Sequence, residues 1–194
     1  MRAGAGPTNH LVPGSTMTPD ASMAGNVRGI DHIGITVPDV EAATRFLSQA
    51  FNATVVYDTV ANGLPRRSPE DLAATVALNQ TQRVIATRIV RLGDSANIEL
   101  FEIKDTVPGV HGIGALGLQH FAVYCDDIAE VLRRVLAAGG TQLRGPNPLF
   151  GAEEGPGNAM HYVRAPWGTL IELISTPAGT APGREMNRWQ PTRS

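Results

Sequence analysis

Four side chains in this chain of 194 residues could do chemistry together. His32 opens the alternating run Ile33-Gly34-Ile35-Thr36-Val37, and His120 opens Phe121-Ala122-Val123-Tyr124-Cys125. Glu99 is set in Asn97-Ile98-Glu99-Leu100-Phe101, and Glu172 in Leu170-Ile171-Glu172-Leu173-Ile174. Core packing requires neither an imidazole nor a carboxylate in such strands. A buried lone carboxylate is expensive. A divalent cation removes that cost, because two carboxylates neutralise it. Imidazole nitrogens suit Ni, Co, Zn, Mn and Fe far better than Mg or Ca. Strand side chains alternate between faces, so each of the four points away from its strand's aliphatic face. If the strands form one curved sheet, the four converge on its concave centre.

The elements that must position these groups occur twice. His32 and His120 stand 88 residues apart, and Glu99 and Glu172 stand 73 apart, so the first half carries 15 residues more. The first half predicts a strand ending at Val37 and stopped by Pro38. Asp39 then caps a helix over 40–50, carried by Val40, Ala43, Phe46, Leu47 and Ala50. A short strand over 54–57 follows. A turn-rich stretch leads to a short helix or lid segment over 69–79. A hairpin over 83–92 and 96–103 turns at Gly93-Asp94-Ser95. The second half predicts a strand over 118–125 and a helix over 128–138, capped by Asp127 and ended by Gly139-Gly140. A strand over 141–144, a Gly/Pro-rich loop over 145–157 and a hairpin over 159–164 and 169–175 complete it. Each half therefore reads β-α-β-β-β, as a duplicated module would. The expected organisation is a tail over 1–27, a first module over 28–104 with an insert at 58–82, a linker over 105–116, a second module over 117–176 and a tail over 177–194.

Composition narrows the classes. The chain is 42% hydrophobic with a formal net charge of −2, and it has no basic stripe of the kind that nucleic-acid binders carry. Its single cysteine, Cys125, excludes an intrachain disulfide and a CxxC zinc site. Mid-strand, it reads as a small buried hydrophobe. No apolar run approaches the roughly 18 residues of a membrane span. The first 25 residues lack the continuous apolar core of a signal peptide. A soluble, cytoplasmic protein is the expectation.

The chain resembles the vicinal oxygen chelate superfamily over about 29–176. That superfamily includes glyoxalase I, methylmalonyl-CoA epimerase, extradiol dioxygenases and the fosfomycin and bleomycin resistance proteins. The resemblance is carried by Asp31-His32-Ile33-Gly34-Ile35-Thr36-Val37-Pro38-Asp39, by Asn97-Ile98-Glu99-Leu100-Phe101-Glu102, by His120-Phe121-Ala122-Val123-Tyr124-Cys125-Asp126-Asp127-Ile128 and by Ala165-Pro166-Trp167-Gly168-Thr169-Leu170-Ile171-Glu172-Leu173. It implies an α+β fold in which paired βαβββ modules form a cupped, partly open mixed-sheet barrel. It implies metal ligands at His32, Glu99, His120 and Glu172, and a homodimer acting on a small molecule. It leaves open whether the site lies within one chain or is shared between two.

Ligand identity separates the chemistries the resemblance allows. Ring-cleaving, iron-dependent dioxygenases use two His and one Glu, whereas position 99 here adds a second Glu. A non-enzymatic binding or resistance protein needs no such set. A His-Glu-His-Glu set resembles bacterial-type glyoxalase I, and the epimerase pattern is close to it. Four protein ligands leave room for two vicinal oxygens of a substrate. The expected function is an isomerase or lyase that enolises a small oxygenated substrate on Ni, Co, Zn, Mn or Fe. Glu172 is the preferred base and Glu99 the second acid/base. Arg88, Arg91 and Arg164 are candidates for holding a substrate carboxylate. Tyr57 and Tyr124 are candidate pocket walls, and His161 is expected to be structural.

Overall fold

The computed structural model describes residues 30–60, 81–106, 114 and 118–179. The described residues from Asp31 onward form one unit. The first module runs β1 (His32–Val37), α1 (Val40–Phe51), β2 (Thr54–Val60), β3 (Arg83–Arg91) and β4 (Asn97–Lys104). The second runs β5 (His120–Tyr124), α2 (Ile128–Ala137), β6 (Thr141–Gln142), β7 (Asn147–Pro148), a single 3-10 turn over Gly151–Glu153, β8 (Ala159–Arg164) and β9 (Leu170–Ser175). Most of the 58–82 insert, the 105–116 linker and both tails lie outside the described residues. The short helix expected over 69–79 lies there too.

Each helix begins where the sequence provides a cap. Asp39 accepts a hydrogen bond from the Ala42 amide, and Asp127 accepts one from the Glu130 amide. A side-chain acceptor at this position satisfies an amide that the helix itself leaves unpaired. At the other end of α1, Asn52 takes the left-handed conformation, at φ 57°. The Glu102 carboxylate accepts from the Val40 amide at 3.0 Å and ties β4 to the start of α1.

The sheets repeat one plan. The first is ordered β1-β4-β3-β2, and the second β5-β9-β8-β6 with β7 beside β8. In both, the histidine strand lies at an edge and pairs parallel with the glutamate strand. Gly34 faces Glu99, and Ala122 faces Glu172. No described strand of one sheet pairs with a strand of the other, and the sheets do not close into a barrel.

The modules join through their helices. α1 packs on β3 and β4, α2 packs on β6, β8 and β9, and the two helices pack on each other. One core runs through both halves, from Val37, Phe46, Leu47 and Leu100 to Val135, Val163, Ile171 and Leu173. Phe46 of α1 meets Trp167 of the second module edge-on, with ring centroids 5.3 Å apart. Gly140 makes that approach possible. A Cβ there would lie 2.6 Å from the Val135 side chain, 2.8 Å from the Arg164 carbonyl and 3.1 Å from the Phe46 ring. Arg134 adds a hydrogen bond to the Gln49 carbonyl at 2.9 Å. The layers are thus sheet, helix, helix, sheet.

Candidate metal centre

Alternation along the strands decides where the four candidate ligands point. Ile98 and Leu100 enter the core beneath α1, so Glu99 faces away from that helix. Ile171 and Leu173 enter the core beneath α2, so Glu172 faces away from that one. Each glutamate has a small residue as its lateral neighbour, Gly34 or Ala122. The histidine two residues upstream of that neighbour shares its face and leans toward the carboxylate. His32 Nε2 lies 3.1 Å from Glu99 Oε2, and His120 Nε2 lies 3.4 Å from Glu172 Oε2.

These separations suit a shared ion. Two adjacent donors on one octahedral ion, each bonded at about 2.1 Å, stand about 3 Å apart. Each half thus offers one imidazole nitrogen and one carboxylate oxygen. The structure brings the four residues together as two pairs. With the helices between the sheets, the two ligand-bearing faces lie on the outer sides of the layers. Among the described residues no three His, Cys, Asp or Glu are grouped closely enough to hold an ion. Among the described residues of one chain the four stand as two separate pairs, because the halves meet helix to helix and not strand to strand.

The surroundings of the pairs differ in two ways that the sequence reading did not assign. Asp31 Oδ1 sits 2.8 Å from His32 Nδ1, which leaves Nε2 directed at Glu99. That hydrogen bond is the main cause of a raised His32 pKa; burial opposes it, and the charges of Glu99 and Asp31 add to it. In the second half, Tyr162 stands opposite Glu172 across the β8–β9 pair. Burial, then the neighbouring Glu172 carboxylate, holds the phenol above its ordinary value. The Tyr162 ring also meets His120 edge-on at 5.5 Å. Two signals were available in the sequence. Asp31 directly precedes His32, and Tyr162 lies one hairpin upstream of Glu172.

Other candidates fall elsewhere. Arg88 pairs with Asp58 of β2 at 2.6 Å and with Glu41 of α1 at 2.7 Å, and donates to Thr44 of α1. These contacts brace the sheet against the helix. Arg164 donates to the Gly168 carbonyl at 3.0 Å within its own hairpin turn. Arg91 is exposed at the end of β3. Tyr124 shares the His120 face, whereas Tyr57 is exposed on the edge strand β2. His161 is structural, as expected: it is 1% exposed, and its Nε2 lies 3.0 Å from the Leu143 carbonyl.

Residues 29–173 match the Glyoxalase/Bleomycin resistance protein/Dioxygenase superfamily. The chain belongs to that superfamily. It is 28% identical over 158 residues to a 2-epi-5-epi-valiolone epimerase from Actinomyces sp, a match covering 77% of this chain and 80% of the relative. Its fold is similar to that of a glyoxalase family protein from Bacillus cereus, with a TM-score of 0.61 at 18% identity, covering 79% of this chain and 97% of the other. It is also similar to the trypanothione-dependent glyoxalase I of Leishmania major, with a TM-score of 0.52 at 17% identity, covering 78% and 89%. No described helix is long and apolar enough to cross a membrane.

Proposed function

We propose that this chain is a divalent-metal-dependent epimerase or isomerase, working by proton transfer next to a carbonyl of a small polyoxygenated substrate. The observation that supports the reading is the pair of matched His–Glu pairs, His32 with Glu99 at 3.1 Å and His120 with Glu172 at 3.4 Å, whose donors would suit a shared ion. The epimerase relative supports the reaction class. Inverting a stereocentre beside a carbonyl means removing a proton from one face and returning one to the other. Two carboxylates in one site supply both transfers.

Each half holds too few donors for a buried ion, so the reading includes a homodimer. The β1 and β5 edges of one chain meet the β5 and β1 edges of a second copy, and each pair from one protomer joins the complementary pair of its partner. When bound, the ion supplies Lewis-acid stabilisation of the oxyanion that develops as the proton leaves. His32 and His120 would each turn Nε2 toward it. Asp31 fixes which nitrogen of His32 is presented.

The test uses purified full-length protein, stripped of metal and reloaded separately with Ni(II), Co(II), Zn(II), Mn(II) or Fe(II). It is incubated with 2-epi-5-epi-valiolone in deuterated water. Metal-dependent deuterium incorporation beside the carbonyl is expected, and Glu99→Gln or Glu172→Gln abolishes it. Binding of none of these ions, or loading without exchange, would overturn the reading.

A further inference from the structure

The two halves match in their His–Glu pairs and differ two residues further along the glutamate strand. In the first sheet that place holds Phe101, half-buried and on the face of Glu99. In the second it holds Ile174, which is 5% exposed and presents little surface. Phe101 is registered beside Thr36 of β1. Its ring leans back along the strand, so that a Cβ placed on Gly34 would lie 3.4 Å from Cε2 and 3.9 Å from Cδ2. Gly34 is the lateral neighbour of Glu99, so the ring lies beside that carboxylate. Both Gly34 and Thr36 are exposed on this face.

We infer that Phe101 is a specificity-determining residue, an aromatic platform beside Glu99 that selects polyoxygenated rings over open-chain hydroxyketones. The inference rests on the reading above that the Glu99 face takes the substrate, and it calls on no ion. Small-molecule sites set a few polar groups among apolar and aromatic walls. Glu99 is the polar group here and the Phe101 ring the wall next to it. The face of an aromatic ring carries partial negative charge. A hydroxylated carbocycle turns its oxygens outward around the rim and presents polarised C–H bonds on its faces. Such a face can lie on the phenyl ring while a rim oxygen or its neighbouring carbon reaches Glu99. An open-chain hydroxyketone has no continuous C–H face to offer. Phe101 makes and breaks no bond in this role. The second half, with Ile174 at the matching place, has no such platform.

The experiment is calorimetric titration of the full-length protein with two ketones, the cyclic 2-epi-5-epi-valiolone and the open-chain dihydroxyacetone. Thermal melting of each variant serves as the folding control. The wild type is expected to bind the cyclic ketone more tightly. Phe101→Ala should weaken binding of the cyclic ketone about tenfold and leave dihydroxyacetone nearly unchanged. Phe101→Tyr keeps the aromatic face and should keep the preference. Ile174→Val, at the matching place in the second half, should not alter it. A wild type that binds both ketones without preference would overturn the platform. So would a Phe101→Ala protein that loses both ketones equally or neither, or an Ile174→Val protein that loses the preference. A folded wild type that binds neither ketone would instead remove the proposed function itself.

Discussion

Asp31 accepts from His32 Nδ1 at 2.8 Å, and the opposite nitrogen of the same ring lies 3.1 Å from Glu99. A carboxylate behind a ligating imidazole fixes its tautomer and its orientation. It also favours the protonated ring, so His32 keeps its proton above the ordinary 6.5 in the metal-free protein.

Under the proposed function, a metal bound at His32 would displace that proton. Metal affinity is therefore expected to fall as pH drops through the raised His32 value. Asp31→Asn should move the fall to lower pH, and at high pH should cost about tenfold in affinity through lost orientation. Calorimetric titration of Ni(II) across pH checks both. For the metal-free fold the sign is opposite. The raised value contributes stability that is fully present below the unfolded value and lost as pH rises through the folded one. With Asp31 largely exposed, that contribution is small.

The proposed sharing of the site between protomers has a direct reading. His32→Ala and His120→Ala proteins should each fail to hold metal tightly. Co-expressed, they form heterodimers in which one site collects both lesions and the other collects none. Metal binding should recover to about a quarter of the wild-type site count under random pairing. A site built within one chain would show no recovery.

Gly140→Ala should destabilise the whole described unit, by about 1–3 kcal/mol, because the added methyl meets a side chain, a carbonyl and the Phe46 ring at once. Chemical denaturation measures the loss. Since the strain falls at the seam between modules, metal affinity should drop with it.

Cys125 should resist modification. Burial first, with the charges of Asp126 and Asp127, pushes its thiol up to about 12, opposed by a backbone hydrogen bond to Ile174. Thiolate is the reactive form. Iodoacetamide at neutral pH should label the native chain far more slowly than the urea-unfolded one.

Much of this architecture was legible in the sequence because its signals are local. Asp39 with Val40, Ala43, Phe46 and Leu47 specified α1 within a residue of its end, and Asp127 did the same for α2. The His and Glu strands announced themselves by alternation. Signals that depend on partners were not readable. β7 is two residues long and has no period of its own. β2 runs on to Val60 past two register shifts, where turn signals predicted an end. Above all, the pairing of α1 with α2 rests on Phe46, Trp167 and Gly140, which are far apart in sequence and ordinary where they stand. That pairing sets the two His–Glu pairs apart, so the four residues were visible in the sequence and their arrangement as two pairs was not.

The edge-on contact of Phe46 with Trp167 belongs to the core that joins the two modules. It sets the angle at which one protomer offers its two half-cups. In a dimer whose cups are each closed by the other subunit, that angle becomes the alignment of donors across both openings. Selection acting on reactivity could therefore be recorded in this remote aromatic joint, with every ligand unchanged.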